Sequence, residues 1–303
     1  MAKIVTRSDL QTKLMKIDRK QALKKMALGT ATALAMPQFA KGMDILSPEL
    51  KNNINHSVCQ WCYNSVPLEE LVIASKEMGI KSVELLNSEQ WPIAIKHGLT
   101  CAMGYAASMG LNKGFNDPTL HEQLLKDYTA KIPMAAEAGL KTLICFSGNA
   151  NGMSYEKGLE NCAVGLEPVL KVAAKYNINV CMELLNSKVN HKDYMCDHTE
   201  WGVKLCEKLG SPNFSLLYDI YHMQIMEGDV IATINKYSKY IGHYHTGGVP
   251  GRNEIDETQE LYYPAIMQAI VQTGFKGFVA QEFIPKRPDK LASLKQGVTI
   301  CDV

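Results

Sequence analysis

Four side chains that can bind a metal ion stand in the second half of the chain, each after a short apolar segment. They are Glu183, Asp219, His245 and Glu282. If a fold brings them together, the three carboxylates repel one another strongly unless a cation neutralises them. A divalent metal ion suits this set, because carboxylate oxygens and an imidazole nitrogen can share it and leave positions open for substrate oxygens. The four residues therefore predict a metal site.

Each of these residues taken alone has a plain structural explanation. A single acid at the end of a strand often caps the next helix or pairs with a nearby arginine. A lone histidine, such as His56 or His243, is more often structural than functional. Four such residues after four consecutive segments are a different case, because structural acids have no reason to recur at one depth. We therefore interpret the set as functional.

The segments that carry these residues belong to a regular alternation of strands and helices. From residue 52 onward, short runs rich in Val, Ile, Leu, Cys and Phe are typical of strands buried on both faces. The predicted strands lie near residues 53–58, 80–86, 99–104, 141–147, 178–184, 213–219, 240–246 and 277–283. Start and stop signals predict helices over residues 67–78, 117–139, 197–210, 227–239 and 263–274.

This alternation predicts an α/β fold, the (β/α)8 TIM barrel, since eight strand–helix units match its size and order. A doubly wound open sheet is the competing architecture, but no Gly-x-Gly-x-x-Gly motif follows the first strand. Residues 148–161 are rich in Gly and Asn and predict a flexible loop after the fourth strand. Reactive groups of such barrels stand at the carboxyl ends of strands, where the four metal-binding candidates fall.

The first 40 residues differ in charge from the rest of the chain. They carry eight Lys or Arg and two Asp or Glu, whereas residues 41–303 carry 24 basic and 29 acidic side chains. Because an apolar run over residues 26–36 follows the basic stretch, residues 1–40 resemble a twin-arginine export signal, with Lys20 in place of the second arginine. We expect a periplasmic or exported protein if this leader functions and a cytoplasmic one if it does not. Residues 41–303 are expected to form a single barrel domain.

Composition also argues against several classes of protein. The acidic balance of residues 41–303 disfavours a nucleic-acid partner, whose binding face should be basic. The apolar run of the leader is too short for a stable membrane span. The nine cysteines are an odd number, and Cys59-Gln60-Trp61-Cys62 has no second pair at zinc-site spacing. We interpret these cysteines as incidental thiols.

Several sequence strings resemble those of the hydroxypyruvate isomerase family. They are Leu217-Tyr218-Asp219-Ile220-Tyr221-His222-Met223-Gln224, Ile241-Gly242-His243, Val249-Pro250-Gly251-Arg252, Met182-Glu183-Leu184-Leu185-Asn186 and the ending Ile300-Cys301-Asp302-Val303. The likeness extends from about residue 52 to Val303. The wider relatives are the xylose isomerase-like barrels, which include the ketose 3-epimerases.

The resemblance implies roles for six residues. Glu183, Asp219, His245 and Glu282 match the family's metal positions, and the expected ion is Mg²⁺ or Mn²⁺. Glu183 and Glu282 also match its paired catalytic acids. His222 and Arg252 fall where the family approaches substrate oxygens, although Arg252 is also compatible with a plain surface salt bridge.

The implied reaction moves a proton next to a carbonyl group. One glutamate would remove the proton, and the same or the opposite glutamate would return it to the neighbouring carbon. The metal ion would stabilise the enediolate as its charge develops. The chain is therefore expected to be an intramolecular oxidoreductase of the aldose–ketose type. Its partner would be a small sugar or hydroxy-keto acid, with conversion of hydroxypyruvate to tartronate semialdehyde as the leading reaction.

Other functions stay open at this point. His245 stands where the best-known hydroxypyruvate isomerases have Gln and where ketose epimerases have His, so a ketose 3-epimerase is one alternative. A non-catalytic exported sugar-binding barrel is another, although both paired acids are present. A metal-dependent endonuclease on the same barrel would need several zinc ions, more histidines and a basic face.

A few other residues have weaker predicted roles. Glu84, at the end of the second strand, could orient substrate or lock the barrel rim, and we favour the rim. Trp61 and Trp91 could form walls of a pocket or simply pack in the core. The loops around 148–157 and 247–258 could form a lid or the contact face of a homo-oligomer.

Overall fold

The computed structural model describes residues 49–303, and the leader predicted over residues 1–40 lies outside them. Eight strands alternate with helices along the described chain. The strands are β1 Asn55–Cys59, β2 Ser82–Glu84, β3 Gly104–Tyr105, β4 Thr142–Cys145, β5 Asn179–Glu183, β6 Phe214–Asp219, β7 Ile241–Thr246 and β8 Phe278–Gln281. The α-helices are α1 Leu68–Glu77, α2 Trp91–Lys96, α3 His121–Glu137, α4 Tyr155–Tyr176, α5 Thr199–Leu209, α6 Ile220–Met226, α7 Val230–Tyr237, α8 Tyr263–Gln272 and α9 Lys290–Cys301.

The eight strands form one parallel sheet in the order β2-β1-β8-β7-β6-β5-β4-β3. The two end strands approach each other through single parallel bridges, Ser82 to Thr100 and Leu86 to Gly104. These bridges nearly close the sheet on itself. The predicted (β/α)8 barrel is therefore confirmed.

The register of the strands brings their carboxyl ends together. Asp219, the last residue of β6, pairs with His245 in β7. His245 in turn pairs with Ala280 of β8, two residues before Glu282. Glu183, the last residue of β5, pairs with Leu217 of β6. Because carboxyl ends of parallel strands meet at one edge, the four metal-binding candidates lie at the same mouth of the barrel.

The third strand is much shorter than the predicted segment 99–104. The backbone N–H of Ala102 donates to the Ser82 hydroxyl at 2.8 Å instead of to a strand carbonyl. The Cys101 thiol donates to the carbonyl of Met103 at 3.2 Å. The apolar run placed this segment correctly in the core, where Cys101 and Met103 are fully buried. Local side-chain hydrogen bonds replace part of its ladder.

The flexible loop predicted over residues 148–161 is wrong in its second half, because helix α4 begins there. The side chain of Ser154 caps this helix by accepting a backbone N–H from its first turn at 3.2 Å. The helix contains Gly158, Gly165 and Pro168, residues of low helix propensity that hide it from sequence analysis. Both glycines stand where a Cβ would collide with side chains of neighbouring segments, so close packing favours the helix.

All nine cysteines lie within the described residues, and all are buried free thiols. Burial raises the pKa of Cys59 and of Cys62 well above the ordinary thiol value. Neutral buried thiols are poor nucleophiles, which agrees with their interpretation as incidental. Between residues 49 and 303, no helix has both the length and the apolar character needed to cross a membrane.

Candidate active site

The four predicted metal ligands form one buried cluster at the barrel mouth. One donor atom from each of Glu183, Asp219, His245 and Glu282 lies within 4.8 Å of the others. Each residue is at most 5% exposed. This proximity could not be read from sequence distances of 36, 26 and 37 residues, but it follows from the register of β5 to β8.

The ring of His245 lies between the carboxylates of Glu282 and Glu183 on one side and the carboxylate of Glu84 on the other. Its Nδ1 lies 2.8 Å from Glu282 Oε2 and 3.4 Å from Glu183 Oε1. Its Nε2 lies 3.0 Å from Glu84 Oε1 on the other side of the ring. Burial alone would lower the pKa of His245, but Cys59, Glu282 and Glu183 together raise it well above the usual imidazole value.

Glu84 is also in contact with this cluster. The predictions made from the sequence do not include that contact. Its side chain is fully buried, and Oε1 accepts hydrogen bonds from His243 Nε2 at 2.8 Å and from His245 Nε2 at 3.0 Å. Burial would raise the pKa of Glu84, but the two imidazoles outweigh it and bring that pKa to about 2. Glu84 thus lies inside the barrel and connects the end of β2 to the two imidazoles of β7.

The spacing of His243 and His245 could have predicted that both rings contact Glu84. Residues two apart in a strand point to the same face, so both rings of β7 must project on the side where β2 ends with Glu84. The two ring centroids lie 5.2 Å apart in an edge-on arrangement. His243 is buried, and its hydrogen bond to Glu84 places it next to the site.

Arg252 lies inside the acidic cluster instead of on the surface. Its Nη2 donates to Asp219 Oδ2 at 3.0 Å and to Glu282 Oε2, and its Nε donates to the backbone carbonyl of Glu282. The guanidinium also lies over the rings of Trp61 and Tyr221, at 5.1 and 5.4 Å from their centroids. With its side chain 12% exposed, Arg252 is not the plain surface salt bridge that was the alternative.

His222 is held in one tautomer by its neighbours. It stands in the first turn of α6, where its backbone N–H donates to Asp219 Oδ1 at 3.1 Å. The backbone N–H of Asn186 donates to His222 Nδ1 at 3.2 Å, so the proton of the neutral ring is on Nε2. Burial and the charge of Arg252 lower the pKa of His222 well below its ordinary value. Nε2 has no hydrogen-bond partner among residues 49–303 and can donate to a substrate oxygen.

The two paired glutamates have opposite pKa shifts. Burial and the charge of Glu282 raise the pKa of Glu183. Burial acts on Glu282 in the same direction, but Arg252 and His245 outweigh it and hold its pKa well below the usual range. Burial also raises the pKa of Asp219, to about 8. Carboxyl groups whose environments drive their pKa values apart are suited to different steps of acid–base chemistry.

A cavity of about 320 Å³ opens beside the acidic cluster. Its lining is mostly apolar, and it comprises Trp61, Leu85, Tyr105, Leu111, Ile144, Phe146, Glu183, Leu185, His191, Arg252 and Glu282. Trp61 thus forms part of the wall, and its Nε1 donates to Glu282 Oε1 at 2.8 Å. Trp91 instead packs in the core, where its Nε1 donates to the carbonyl of Leu86 at 3.0 Å.

The donor set fits a divalent cation. It offers carboxylate oxygens and one imidazole nitrogen, which suit Mg²⁺ or Mn²⁺ as well as several transition metals. Glu183 Oε1 is buried and has no hydrogen-bond partner within the described chain, so one strong oxygen ligand is available. A larger groove of about 410 Å³ lies around Tyr155 and Trp201 on the outer helices and includes none of these ligands in its lining.

Comparison with known proteins places this site in a family context. A family model described as xylose isomerase-like TIM barrel matches residues 74–298. A putative hydroxypyruvate isomerase of Homo sapiens is 27% identical over 241 residues, which cover 75% of this chain and 78% of that protein. A 2-oxo-tetronate isomerase of Pectobacterium atrosepticum is 24% identical over 263 residues, covering 83% of this chain and 93% of that protein.

Solved structures agree with the fold. One from Brucella melitensis, described as an AP endonuclease of family 2, has a TM-score of 0.72 at 23% identity and covers 80% of this chain and 97% of that one. Structures described as D-psicose and L-ribulose 3-epimerases superpose with a TM-score of 0.65. At identities this low, these structures establish the barrel and leave the reaction to be argued from the site.

Proposed function

The chain belongs to the xylose isomerase-like TIM barrel family, and we propose that it is an isomerase of small hydroxy-keto acids, similar in reaction to hydroxypyruvate isomerase. The observation that carries this proposal is the pair Glu183 and Glu282, buried side by side with opposite pKa shifts. Isomerisation of a hydroxy-ketone needs one group that exchanges a proton with carbon and a fixed charge that holds the reacting end. The two glutamates supply both.

We assign the carbon proton transfers to Glu183. In its ionised form it would take the proton from the hydroxyl-bearing carbon, and it would then return that proton to the former carbonyl carbon. The raised pKa of Glu183 brings the acid and its conjugate base closer to balance near neutrality, which favours both steps. Glu282 stays ionised beside Arg252 and His245. At the enediolate stage, the proton of the substrate hydroxyl would pass to the former carbonyl oxygen, to which His222 Nε2 would donate a hydrogen bond.

A divalent cation held by Glu183, Asp219, His245 and Glu282, Mg²⁺ or Mn²⁺ in this proposal, would supply charge stabilisation for the enediolate when bound. Arg252 is assigned to the carboxylate of the substrate. Its hydrogen bonds within residues 49–303 use Nε and Nη2, so Nη1 remains for a planar anion. A charge-assisted hydrogen bond from Nη1 to a carboxylate oxygen would be about twice as strong as one between neutral groups.

The proposal is tested by substituting each paired acid and following proton exchange. Glu183→Gln should lower kcat by about 10²–10⁴-fold, the usual contribution of a positioned acid or base. Glu282→Gln should also lower kcat, because it removes the fixed charge at the reacting end. The measurement is incorporation of deuterium from D₂O into hydroxypyruvate and its isomer, followed by NMR. Glu200→Gln, an exposed acid on α5 that pairs with Lys204, is the matched control and should keep full activity.

Chelation provides the second arm of this test. Treatment with EDTA should abolish exchange, and added Mn²⁺ or Mg²⁺ should restore it. Wild-type exchange rates in both Gln variants would contradict the two-carboxylate mechanism. Activity that survives complete chelation would remove the metal ion from the proposal while leaving the glutamates in it.

A ketose 3-epimerase is the second candidate, and His245 favours it. Ketose epimerases carry His at this position by the resemblance described above. Inversion at one carbon would need Glu183 to take the proton from one face and Glu282 to return a proton to the opposite face of the same carbon. Product analysis separates the two reactions. A ketose panel that yields C3 epimers, with hydroxypyruvate left unchanged, would replace the isomerase proposal by the epimerase.

A further inference from the structure

His191 contributes to the cavity beside the acidic cluster, but the mechanism above gives it no role. It lies in the segment between β5 and α5 and lines the cavity together with Glu183 and Arg252. Its Nε2 is buried and finds no hydrogen-bond partner among the described residues. A buried polar atom without a partner costs free energy, and a ligand in the cavity would supply one.

The position of His191 is fixed by the loop that carries it. Its backbone N–H donates to the carbonyl of Asn186 at 3.0 Å. The side chain of Asn186 accepts backbone N–H groups from Val189 and Asn190 at 3.0 and 2.9 Å. The hydroxyl of Tyr221 donates to Asn190 Oδ1 at 2.9 Å and ties the loop to helix α6. These hydrogen bonds fix the backbone of the loop next to His191.

The ring of His191 lies next to that of His222, which the proposed mechanism assigns to the substrate carbonyl oxygen. Its centroid lies 5.1 Å from that of His222. Both rings have a buried Nε2 that lacks a hydrogen-bond partner within residues 49–303. If His222 contacts the carbonyl oxygen, the second ring is placed for an oxygen further along the substrate.

The surroundings of His191 favour an uncharged oxygen. Burial and the charge of Arg252 lower its pKa, so the ring is neutral near pH 7 and can donate or accept one hydrogen bond. Within the described chain, Arg252 is the only cation in the cavity lining, and it lies in the acidic cluster. The wall also includes Leu111, Ile144 and Phe146, which suit carbon atoms and not a second anion.

The size of the cavity points the same way. The cavity of about 320 Å³ has room for a substrate longer than three carbons. Hydroxypyruvate is a three-carbon compound whose oxygens are all needed at the reacting carbons and the carboxylate. A substrate of this size has no further oxygen that could bond His191 Nε2.

We propose that His191 binds an uncharged hydroxyl beyond the reacting carbons, so that the substrate class is hydroxy-keto acids of at least four carbons. This inference rests on the proposed isomerase function and adds the length and the distal polarity of the substrate. The acid end would contact Arg252, and the hydroxyl-bearing end would extend along the apolar wall to His191.

The test compares a three-carbon and a four-carbon substrate in matched variants. Wild-type protein should give a kcat/KM for 2-oxo-tetronate at least about tenfold above that for hydroxypyruvate, the effect of one hydrogen bond of about 1.4 kcal/mol. His191→Phe should remove this preference by raising KM for 2-oxo-tetronate alone. His191→Gln should restore part of it, because its amide can also bond a hydroxyl. His97→Phe, far along the chain in the turn after α2, is the matched control and should keep the preference.

The possible outcomes separate the two levels of the proposal. An unchanged preference in His191→Phe, with a native Tm and circular dichroism spectrum, overturns the role of His191. An equal loss of kcat/KM for both substrates also overturns it. A structural defect would lower both values alike, whereas a lost contact with the distal hydroxyl would lower only the value for the four-carbon substrate. If wild-type protein exchanges no proton with either compound while the ketose panel reacts, the proposed acid isomerase fails, and the four-carbon class fails with it.

Discussion

At the scale of single residues, the site depends on how each side chain is held by its neighbours. Glu183 and Glu282 are chemically identical, yet Arg252 and His245 contact the second and keep it ionised. The carboxylate of Glu84 likewise determines how the ring of His245 is oriented. Because Glu84 accepts the Nε2 proton, Nδ1 of the same ring is left to face the other acids. Such partners of a metal-binding histidine orient it and raise its basicity.

Removing the charge of Glu84 should therefore weaken metal binding. We expect Glu84→Gln to lower the affinity for Mn²⁺ by about 10–100-fold, the usual cost of losing an outer partner of a ligand. Calorimetric titration of the metal-free protein measures this directly, without any substrate. Glu254→Gln is the matched control, since Glu254 is also a buried acid but accepts its hydrogen bonds from Lys286, Arg287 and Ser293. It should change Tm and leave metal affinity intact.

A Glu84→Gln protein that loses stability but binds Mn²⁺ like the wild type would show that Glu84 serves the fold alone. The absorption spectrum of bound Co²⁺ gives a second check, because a rotated His245 changes the ligand field. An unaltered spectrum together with unaltered affinity would leave no role for Glu84 in orienting the ring.

The sequence predicted the cluster of four candidate ligands because each residue follows a recognisable strand. The residues around this cluster, Glu84 and His191, were harder to predict because their roles depend on contacts between segments that are distant in sequence. Glu84 was found as a strand-end acid, but its role depends on which strands neighbour it across the closed barrel. His191 lies in an irregular loop whose shape is set by hydrogen bonds of Asn186 and Asn190. The periodicity of apolar residues does not predict the shape of such a loop.

At the scale of secondary-structure elements, the apolar pattern located all eight strands and five of the helices. It failed where packing overrides local preference. Helix α4 contains residues that weaken isolated helices, and its close contacts compensate for them. Strand β3 is shortened because the Ser82 hydroxyl takes the place of a backbone acceptor. Neither contact is visible in a single sequence.

The loop between β3 and α3 is the element that shapes the cavity wall. The backbone N–H of Phe115 donates to the carbonyl of Phe146 at 3.1 Å, and that of Asn116 donates to Ser147 at 2.9 Å. The chain can approach this closely because residue 114 is Gly. A Cβ at Gly114 would overlap the carbonyl oxygen of Phe146 and the carbonyl carbon of Ser147. Phe146 itself lines the cavity.

Gly114→Ala should consequently disturb both stability and substrate binding. We expect a loss of about 1–3 kcal/mol, as for other overpacked sites, together with a raised KM because the wall at Phe146 must move. Gly110→Ala is the control in the same loop. Its φ of 74° makes the substitution strained, but its Cβ would meet nothing within 4 Å. Thermal unfolding and steady-state kinetics should show that both variants lower Tm and that Gly114→Ala alone raises KM.

At the scale of the whole molecule, the C-terminal residues Asp302 and Val303 contact the segment that leads into β1. The backbone N–H of Lys51 donates to Asp302 Oδ2 at 2.9 Å, and the side chain of Asn53 donates to the carbonyl of Val303 at 2.8 Å. His56, in β1, lies 3.6 Å from Asp302 Oδ1 and is 1% exposed. A titratable ring is thereby buried where the two ends of the described barrel meet.

This buried ring should make the protein sensitive to mild acid. Burial lowers the pKa of His56 below 6.5, and the carboxylate of Asp302 compensates only in part. The folded chain therefore holds the ring neutral, while the unfolded chain takes up a proton once the pH falls below 6.5. Stability from this group is complete above that pH and is lost progressively below it.

Thermal unfolding of wild-type protein and His56→Gln between pH 7.5 and 5.0 measures the effect. The titrating groups of the acidic cluster are present in both proteins, so their contribution cancels in the difference. The Tm of the wild type should fall more steeply, and about 2–4 °C corresponds to 1 kcal/mol for a chain of this length. Parallel curves would contradict the prediction, because they would mean that His56 has the same pKa in the folded and unfolded chains. A shallower fall in the wild type would mean that the folded chain holds the ring protonated, with Asp302 as its ion-pair partner.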